Sequence, residues 1–321
     1  MKRKLRWCTN SRFSLWNLCV LCAFVVDHFR LSRTTETQRT QRFHRKVQTS
    51  SLPKVRLLIA VAVALIAVAP AANRLAPQAA AALKKQPLRV MTYNIHVGVG
   101  MDKRLDLQRI ADLINAQQPD LVGLQEVDRG VKRTEGKDEI AELAKLTSMQ
   151  FAYAHNLDYQ GGQYGVAILS RFPITAIDHR KYENRRAAER RGMIRTEVNV
   201  SGRIVNFVTT HLDYQYEDGR VFETEQLLKF LAGVKGPLIV VGDFNDEPTG
   251  AAYKLMTANF DDAWLKDKTN DAGLSYPADK VARRIDYVFA RRSDHIKIRK
   301  TWTVATLASD HIPVVVDLDL R

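Results

Sequence analysis

The sequence predicts an α/β protein, and three observations carry that prediction. Leu88–Ile95 (LRVMTYNI), Leu105–Ala116 and Leu121–Leu124 read in succession as strand, helix and strand. Pro237–Val241 is an apolar run that stops at Gly242, the pattern of a buried strand with an abrupt end. The chain has 321 residues, 45% apolar and 26% charged, an ordinary globular balance with length for one large domain or two small ones.

The N-terminal region differs from the rest. The net charge of +14 would point to nucleic acid or an anionic membrane, but residues 1–56 hold 13 basic and 2 acidic residues. Residues 86–321 hold 33 of each and are formally neutral, so the basic charge does not describe the body. The three cysteines, Cys8, Cys19 and Cys22, also lie at the start, which leaves the body without a disulfide framework. Leu57–Ala72 is 16 residues without charge, preceded by Lys54 and Arg56 and followed by small residues. That layout reads as a cleaved secretory signal, with an uncleaved membrane anchor as the alternative. The expected location is therefore periplasmic or secreted, or membrane-anchored with the domain outside. Residues 1–46 are expected to be an over-extended start or a disordered basic segment; a two-segment membrane hairpin involving Phe13–Val26 competes. Residues 47–85 then comprise the signal or anchor plus an Ala-rich linker, and residues 86–321 are expected to form the folded domain.

Along that domain, the helix over Leu105–Ala116 rests on Leu105, Leu107, Ile110, Leu113 and Ile114, and Pro119-Asp120 stops it. Asp138–Thr147 reads as a second helix. Phe151–Ala154 and Tyr164–Leu169 read as strands around a loop at 158–163, with another strand at Ile174–Ile177. Residues 180–195 contain seven Arg or Lys, read equally as a solvated loop or a phosphate-facing rim. Met193–Val200 and Arg203–Thr210 form a predicted hairpin across Ser201-Gly202. Gly219–Ala232 is a predicted helix, followed by the strand at 237–241 and a short helix near Ala251–Met256. Strands at Ile285–Ala290, Ile296–Thr303 and Val314–Leu320 complete the set.

Asn94, Glu126, His211, Asp243, Asn245, Asp286, Asp310 and His311 share one property: each stands at or beside a predicted strand end. Asp243 and Asn245 are two apart, so on extended chain both point the same way, and burying them without a partner is costly. Clustered carboxylates repel unless a cation joins them. Oxygen ligands without cysteine suit Mg2+, Mn2+ or Ca2+. Two histidines near acids add acid/base capacity. Together they describe metal-assisted hydrolysis of an anionic ester.

Eight stretches in order resemble the motifs of the endonuclease/exonuclease/phosphatase superfamily: TYNIH (92–96), LQEVD (124–128), YGVAILSRFPI (164–174), ERRG (189–192), TTHLD (209–213), GDFND (242–246), RIDYVF (284–289) and SDHIPV (309–314). The resemblance implies a four-layer α/β sandwich, two mixed β-sheets face to face with helices outside. It implies Glu126 as principal Mg2+ ligand, with Asn94 and Asp310 near the metal. It implies Asp243 for orienting or deprotonating water, Asn245 for the attacking and phosphoryl oxygens, and Asp286 for pairing with His311. His311 would contact phosphate or move a proton, and His211 would flank the phosphate. Arg191, Tyr164 and His96, in three of these motifs, are the candidate substrate-binding residues. The His-Leu pair at 211–212 resembles the branch of deoxyribonuclease I, neutral sphingomyelinases and inositol-phosphate phosphatases more than apurinic-site repair enzymes. The chain also resembles small bacterial members and the catalytic region of proteins linked to glycosylphosphatidylinositol remodelling.

Substrate choice is expected to fall among phosphoesters. The neutral body argues against strong non-specific DNA binding. The expectation is a phosphodiesterase on lipid or small-molecule headgroups, with an exported nuclease and a non-catalytic binding module as alternatives. Membrane association would run through residues 57–72, and no protein partner is implied.

Overall fold

The computed structural model describes residues 86–267 and 271–320. The expected basic extension at 1–46 and the signal or anchor and linker at 47–85 lie outside the described residues. Twelve strands and five α-helices follow in order. The strands are β1 (Gln86–Asn94), β2 (Leu121–Arg129), β3 (Gln150–Tyr159), β4 (Gly162–Ser170), β5 (Ile174–Lys181), β6 (Gly192–Val200), β7 (Arg203–His211), β8 (Leu238–Asp243), β9 (Phe260–Asp262), β10 (Asp286–Arg291), β11 (Lys297–Thr303) and β12 (Val314–Leu320). The helices are α1 (Leu107–Gln117), α2 (Glu139–Thr147), α3 (Glu217–Leu231), α4 (Ala251–Asn259) and α5 (Ala263–Asp267).

The strands make two six-stranded sheets, in the orders β11-β12-β1-β2-β4-β3 and β5-β6-β7-β8-β10-β9. Both are mixed: β1 runs parallel to β2 and β7 to β8, while the other pairs are antiparallel. Side-chain alternation sorts the apolar residues into three clusters. Leu88, Val90, Ile168, Phe207, Ile239 and Val241 fill the space between the sheets. Met91, Tyr93, Val122 and Leu124 meet Ile110, Ile114, Ile140 and Leu143 of α1 and α2. Val208, Leu238, Val240 and Phe289 meet Leu227, Leu231 and Met256 of α3 and α4. Helix, sheet, sheet and helix layers give the four-layer sandwich.

Local chemistry sets the element ends. Asp106 accepts the backbone N–H groups of Gln108 and Arg109 and starts α1, and Asp138 accepts that of Ala141 and starts α2. The expected six-residue loop at 158–163 is a tighter turn, because Gln160 and Gly161 take left-handed backbone (φ +45° and +85°) and let β3 and β4 pair almost to the tip. The short strand β9 and helix α5 were not expected. Phe260–Asp262 is too short for a periodicity signal, and pairing with β10 defines it.

One glycine controls how closely the sheets approach. Gly123 on β2 faces the other sheet, and a Cβ there would run into Val241 and stand 2.8 Å from Thr209 Oγ1. Beyond it the interior turns polar. Gln125 Nε2 donates to Thr209 Oγ1 (2.7 Å) across the sheets and to Thr92 Oγ1 (3.1 Å) within its own. The inward positions after this layer are Asn94, His211 and Asp243. Both parallel pairs end at this edge, where β10 begins and the approach to β12 arrives.

Candidate active site

Strand register brings the predicted residues together. His211 stands opposite Asp243 on parallel strands, and Asp286 opposite Asp243 on antiparallel ones. Asn94, at the end of β1, bridges the sheets: its Nδ2 donates to Glu126 Oε1 and Asp243 Oδ2, both at 3.0 Å. Its own Oδ1 accepts the backbone N–H of His96 (3.0 Å). Glu126 reaches the edge through a backbone irregularity in β2, where its φ is +57° and the pairing with β4 shifts. Asn245, just past β8, has φ +50°. Left-handed backbone at non-glycine residues carries strain, and both sites turn a polar side chain toward one cavity.

Asp243 is 1% exposed, yet both carboxylate oxygens are engaged: Oδ1 accepts the Asn245 N–H (2.9 Å), and Oδ2 accepts from Asn94. Burial and the nearby Asp286 carboxylate push Asp243 above the usual carboxylate range. His311 Nδ1 donates to Asp286 Oδ2 (2.8 Å), and its Nε2 lies 3.7 Å from Asp243 Oδ2. Burial favours a neutral ring, but Asp286 and Asp243 outweigh it and hold His311 protonated, up to about 10. The other histidine is the reverse case. Burial and the adjacent Arg191 cation push His211 well below its ordinary value. A guanidinium only donates, so Arg191 Nη1, 2.6 Å from His211 Nδ1, assigns the His211 proton to Nε2. That Nε2 lies 3.1 Å from Asn245 Nδ2 and 3.4 Å from Asp243 Oδ2, so its N–H faces the Asp243 carboxylate while the Asn245 amide donates to Leu212 O (3.0 Å).

Ser309 Oγ donates to Asn94 O (2.7 Å) and anchors the loop carrying Asp310 and His311 onto β1. Asp310, Glu126 and His96 are half-buried at the cavity wall, and His96 Nδ1 lies 3.9 Å from Asp310 Oδ1.

Glu126 and Asp310, both in the cavity wall, could hold a divalent cation. Their carboxylates face the cavity, and the contacts they make leave oxygen lone pairs free. Asp243, Asp286 and His311 also bring ligand atoms within 4.8 Å of one another. In that trio His311 Nδ1 is already taken by Asp286 Oδ2 (2.8 Å), so the ring could offer a cation Nε2 alone. Asn94 serves as the strut between the Glu126 side and Asp243.

The cavity is about 510 Å³. Its wall includes Glu126, His96, Tyr164, Arg191, His211, Asp243, Asn245, Asp310 and His311 from the predicted set, while Asn94 and Asp286 stand behind it. Of the seven basic residues at 180–195, Arg191 reaches this wall, 3% exposed and engaged by His211 and Glu189. It supports His211 from behind. Arg180, Arg185 and Arg186 stack on Phe230, Phe222 and Tyr216, and each faces a carboxylate, so this stretch is a braced surface strip. Sequence reasoning missed Arg133, Tyr159, Tyr214, Tyr276 and Arg283 in the wall. Tyr159 closes β3, Arg133 stands in a 3-10 turn and the others lie between elements, so none carries a periodicity; the acidic Asp128 of LQEVD, whose partner is Arg133, was an available signal.

Comparison with known proteins agrees with the fold. The model of the endonuclease/exonuclease/phosphatase family matches residues 91–311. The chain is 27% identical over 254 residues to the uncharacterised protein YbhP of Escherichia coli K12, covering 72% of this chain and 96% of YbhP. It is 24% identical over 241 residues to a provisionally named neutral sphingomyelinase of Drosophila melanogaster, covering 65% of this chain and 53% of that protein. A crystal structure of an endonuclease/exonuclease/phosphatase protein from Beutenbergia cavernae superimposes with a TM-score of 0.61 at 26% identity, over 73% of this chain and 72% of the other.

Proposed function

The chain belongs to the endonuclease/exonuclease/phosphatase family, and we propose that it is a divalent-metal-dependent phosphodiesterase acting on lipid or small-molecule headgroups. The observation that carries this reading is the convergence on one cavity of two oppositely tuned histidines, a buried aspartate between them and a pair of open carboxylates. A lone polar strand end has bland explanations, but this arrangement sorts a proton donor, a proton acceptor and a cation site into separate places.

Glu126 and Asp310 would hold the cation, Mg2+ first and Mn2+ or Ca2+ as substitutes. When bound, the ion supplies positive charge to a phosphoryl oxygen. Asp243 orients the attacking water and accepts its proton at Oδ2, with Oδ1 fixed by the Asn245 N–H. The raised affinity of Asp243 for a proton makes it a better base than a surface aspartate. Neutral His211 presents Nε2–H on one side, and protonated His311 presents Nε2–H on the other. Both can donate to phosphoryl oxygens as negative charge develops. Asp286 fixes the ring orientation of His311.

The likeness to a neutral sphingomyelinase supports a lipid headgroup, and the neutral charge of residues 86–321 supports it over a nucleic-acid backbone. We place the domain outside the cytoplasmic membrane, exported by residues 57–72; N-terminal sequencing of native protein testing this reading should find a terminus after that run. The activity test compares wild type and Asp243→Asn on bis-p-nitrophenyl phosphate, sphingomyelin, phosphatidylinositol and plasmid DNA, with Mg2+ and with chelator. Mg2+-dependent release from a headgroup substrate, lost in Asp243→Asn, is the expected result. Preferential DNA cleavage at physiological salt would replace this reading with a nuclease. Inactivity on every substrate with Mg2+, Mn2+ and Ca2+ would leave a binding module.

A further inference from the structure

Two arginines in the cavity wall, Arg133 and Arg283, are used by neither the motifs nor the mechanism, and Arg133 is the one with a buried brace. It lies five residues beyond Asp128, whose side chain is wholly buried. Arg133 Nε and Nη2 donate to the two Asp128 oxygens (2.8 and 2.9 Å), a bidentate clamp, and Thr134 Oγ1 donates to the same carboxylate (3.2 Å). The guanidinium carbon also lies 4.6 Å from the Tyr159 ring centre and 5.3 Å from that of Tyr164. Backbone ties complete the brace: Arg133 N–H donates to Gln160 Oε1 (3.0 Å).

These contacts use Nε and Nη2 and leave Nη1 without a hydrogen bond among the described residues. About a third of the side chain is exposed, at a cavity wall. A guanidinium is a planar fork suited to phosphate oxygens. Here its orientation is set before any ligand arrives, so little side-chain entropy remains to be lost on binding. The contrast with Arg191 is direct, since that cation is spent on His211 and Glu189.

We propose that Arg133, clamped by Asp128 and stacked on Tyr159 and Tyr164, is a specificity-determining residue that receives a second phosphoryl group of the substrate, beyond the scissile one. This rests on the phosphodiesterase reading above. One open guanidinium suits a headgroup with a single extra phosphate. A nucleic-acid strand would call for a track of free cations and stacking surfaces. The other arginines in the cavity wall are paired: Arg283 with Glu247, and Arg191 with Glu189.

The test uses two phosphodiester pairs differing by one phosphate: glycerophosphoinositol against glycerophosphoinositol 4-phosphate, and the dinucleotide TpT against pTpT. Wild type should favour the 4-phosphate by about 10-fold or more in kcat/KM, mostly through KM. Arg133→Gln should shrink that ratio to about 2-fold or less. Because Arg133→Gln strands a buried carboxylate and can lower stability, the double variant Asp128→Asn/Arg133→Gln is run beside it. Loss of the ratio in the stably folded double variant supports recognition; a ratio retained there overturns it. A preference confined to pTpT overturns the headgroup assignment. If no substrate turns over, the phosphodiesterase reading fails on its own, and calorimetry with inorganic pyrophosphate decides for Arg133. Weaker binding by about 10-fold in the double variant supports the site, and equal binding overturns it.

Discussion

In one sheet a parallel pair, β1 and β2, is joined through α1, and its pairing stops at Asn94 and Gln125, just before Glu126; in the other, β7 and β8 are joined through α3 and end in His211 and Asp243. Each sheet then places a left-handed polar residue at the same edge, Glu126 in one and Asn245 in the other. Each also fastens that edge with a buried glutamate. Glu139 Oε2 accepts the Asp128 N–H two residues beyond Glu126, and Glu223 Oε2 accepts the Asp213 N–H two residues beyond His211, both at 2.7 Å. The scaffolds match, but the solvation of the acids does not. Glu126 and Asp310 are half-exposed to the cavity, whereas Asp243 and Asp286 are buried and hydrogen-bonded. A group that binds a cation needs open lone pairs. A group that holds a proton near neutral pH needs a dry setting that favours the neutral form.

The largest expected effect comes from removing one group from each side. Glu126→Ala and Asp243→Asn should each lower turnover by about 100-fold or more, by loss of a charge-stabilising or proton-accepting group. If the two edges form one catalytic unit, the double variant should fall little below the weaker single variant. Losses that multiply in steady-state assays would mean two independent sites and would break the comparison.

Gly123 tests how tightly the edges must be held. Gly123→Ala should destabilise the domain by about 1–3 kcal/mol in urea unfolding, because its Cβ meets Val241 and Thr209 on the facing sheet. Adding Val241→Ala should recover part of that loss, and no coupling between the two would show that the sheets do not meet there.

Legibility in the sequence followed chain direction and solvation. Strand ends were readable where an apolar run met a polar residue, as at Val241 before Gly242, so the edge residues of both sheets could be named. The tie between the sheets was not readable: Gln125 looks like an ordinary strand residue, and only the facing Thr209 makes it a bridge. The arginines at 180–195 left two readings open, a solvated loop or a phosphate-facing rim, and density along the chain could not choose between them. Most are spent on aromatics and acids, while the isolated Arg133, which has no motif of its own, faces the cavity. Residues joined by long-range pairing carry no local pattern, so charge counting along the chain cannot rank them.

Proton placement gives a smaller but sharper test. In wild type, activity should rise with pH as Asp243 loses its proton and fall as His311 loses its own at about 10. Asp286 raises both groups, because its charge disfavours a second carboxylate and favours an imidazolium. Asp286→Asn should therefore move both limbs of the pH–rate profile to lower pH. A shift of the alkaline limb alone would show that Asp243 does not sense Asp286.

The two buried glutamates are the closest match between the halves, and glutamine substitutions there should affect stability least at acid pH, where the native side chains are already protonated. Burial raises both Glu139 and Glu223 to about 8, against about 4.3 in an unfolded chain. Between those values the folded state keeps a proton that the unfolded state releases. Their contribution is therefore fullest below about pH 4.3 and is lost as pH rises through about 8, with a limiting slope near 1.4 kcal/mol per pH unit for each group. Glu139→Gln and Glu223→Gln keep an oxygen for the backbone N–H and remove the titration, so each should flatten the fall in unfolding free energy between pH 5 and pH 8. The kinetic outcomes should part company. Glu139→Gln acts beside Glu126 and should raise the Mg2+ concentration needed for half-maximal activity, whereas Glu223→Gln acts beside His211 and should lower kcat at saturating Mg2+. Matching kinetic signatures in the two variants would mean that the edges do not divide cation binding from proton handling, whatever their stability profiles show.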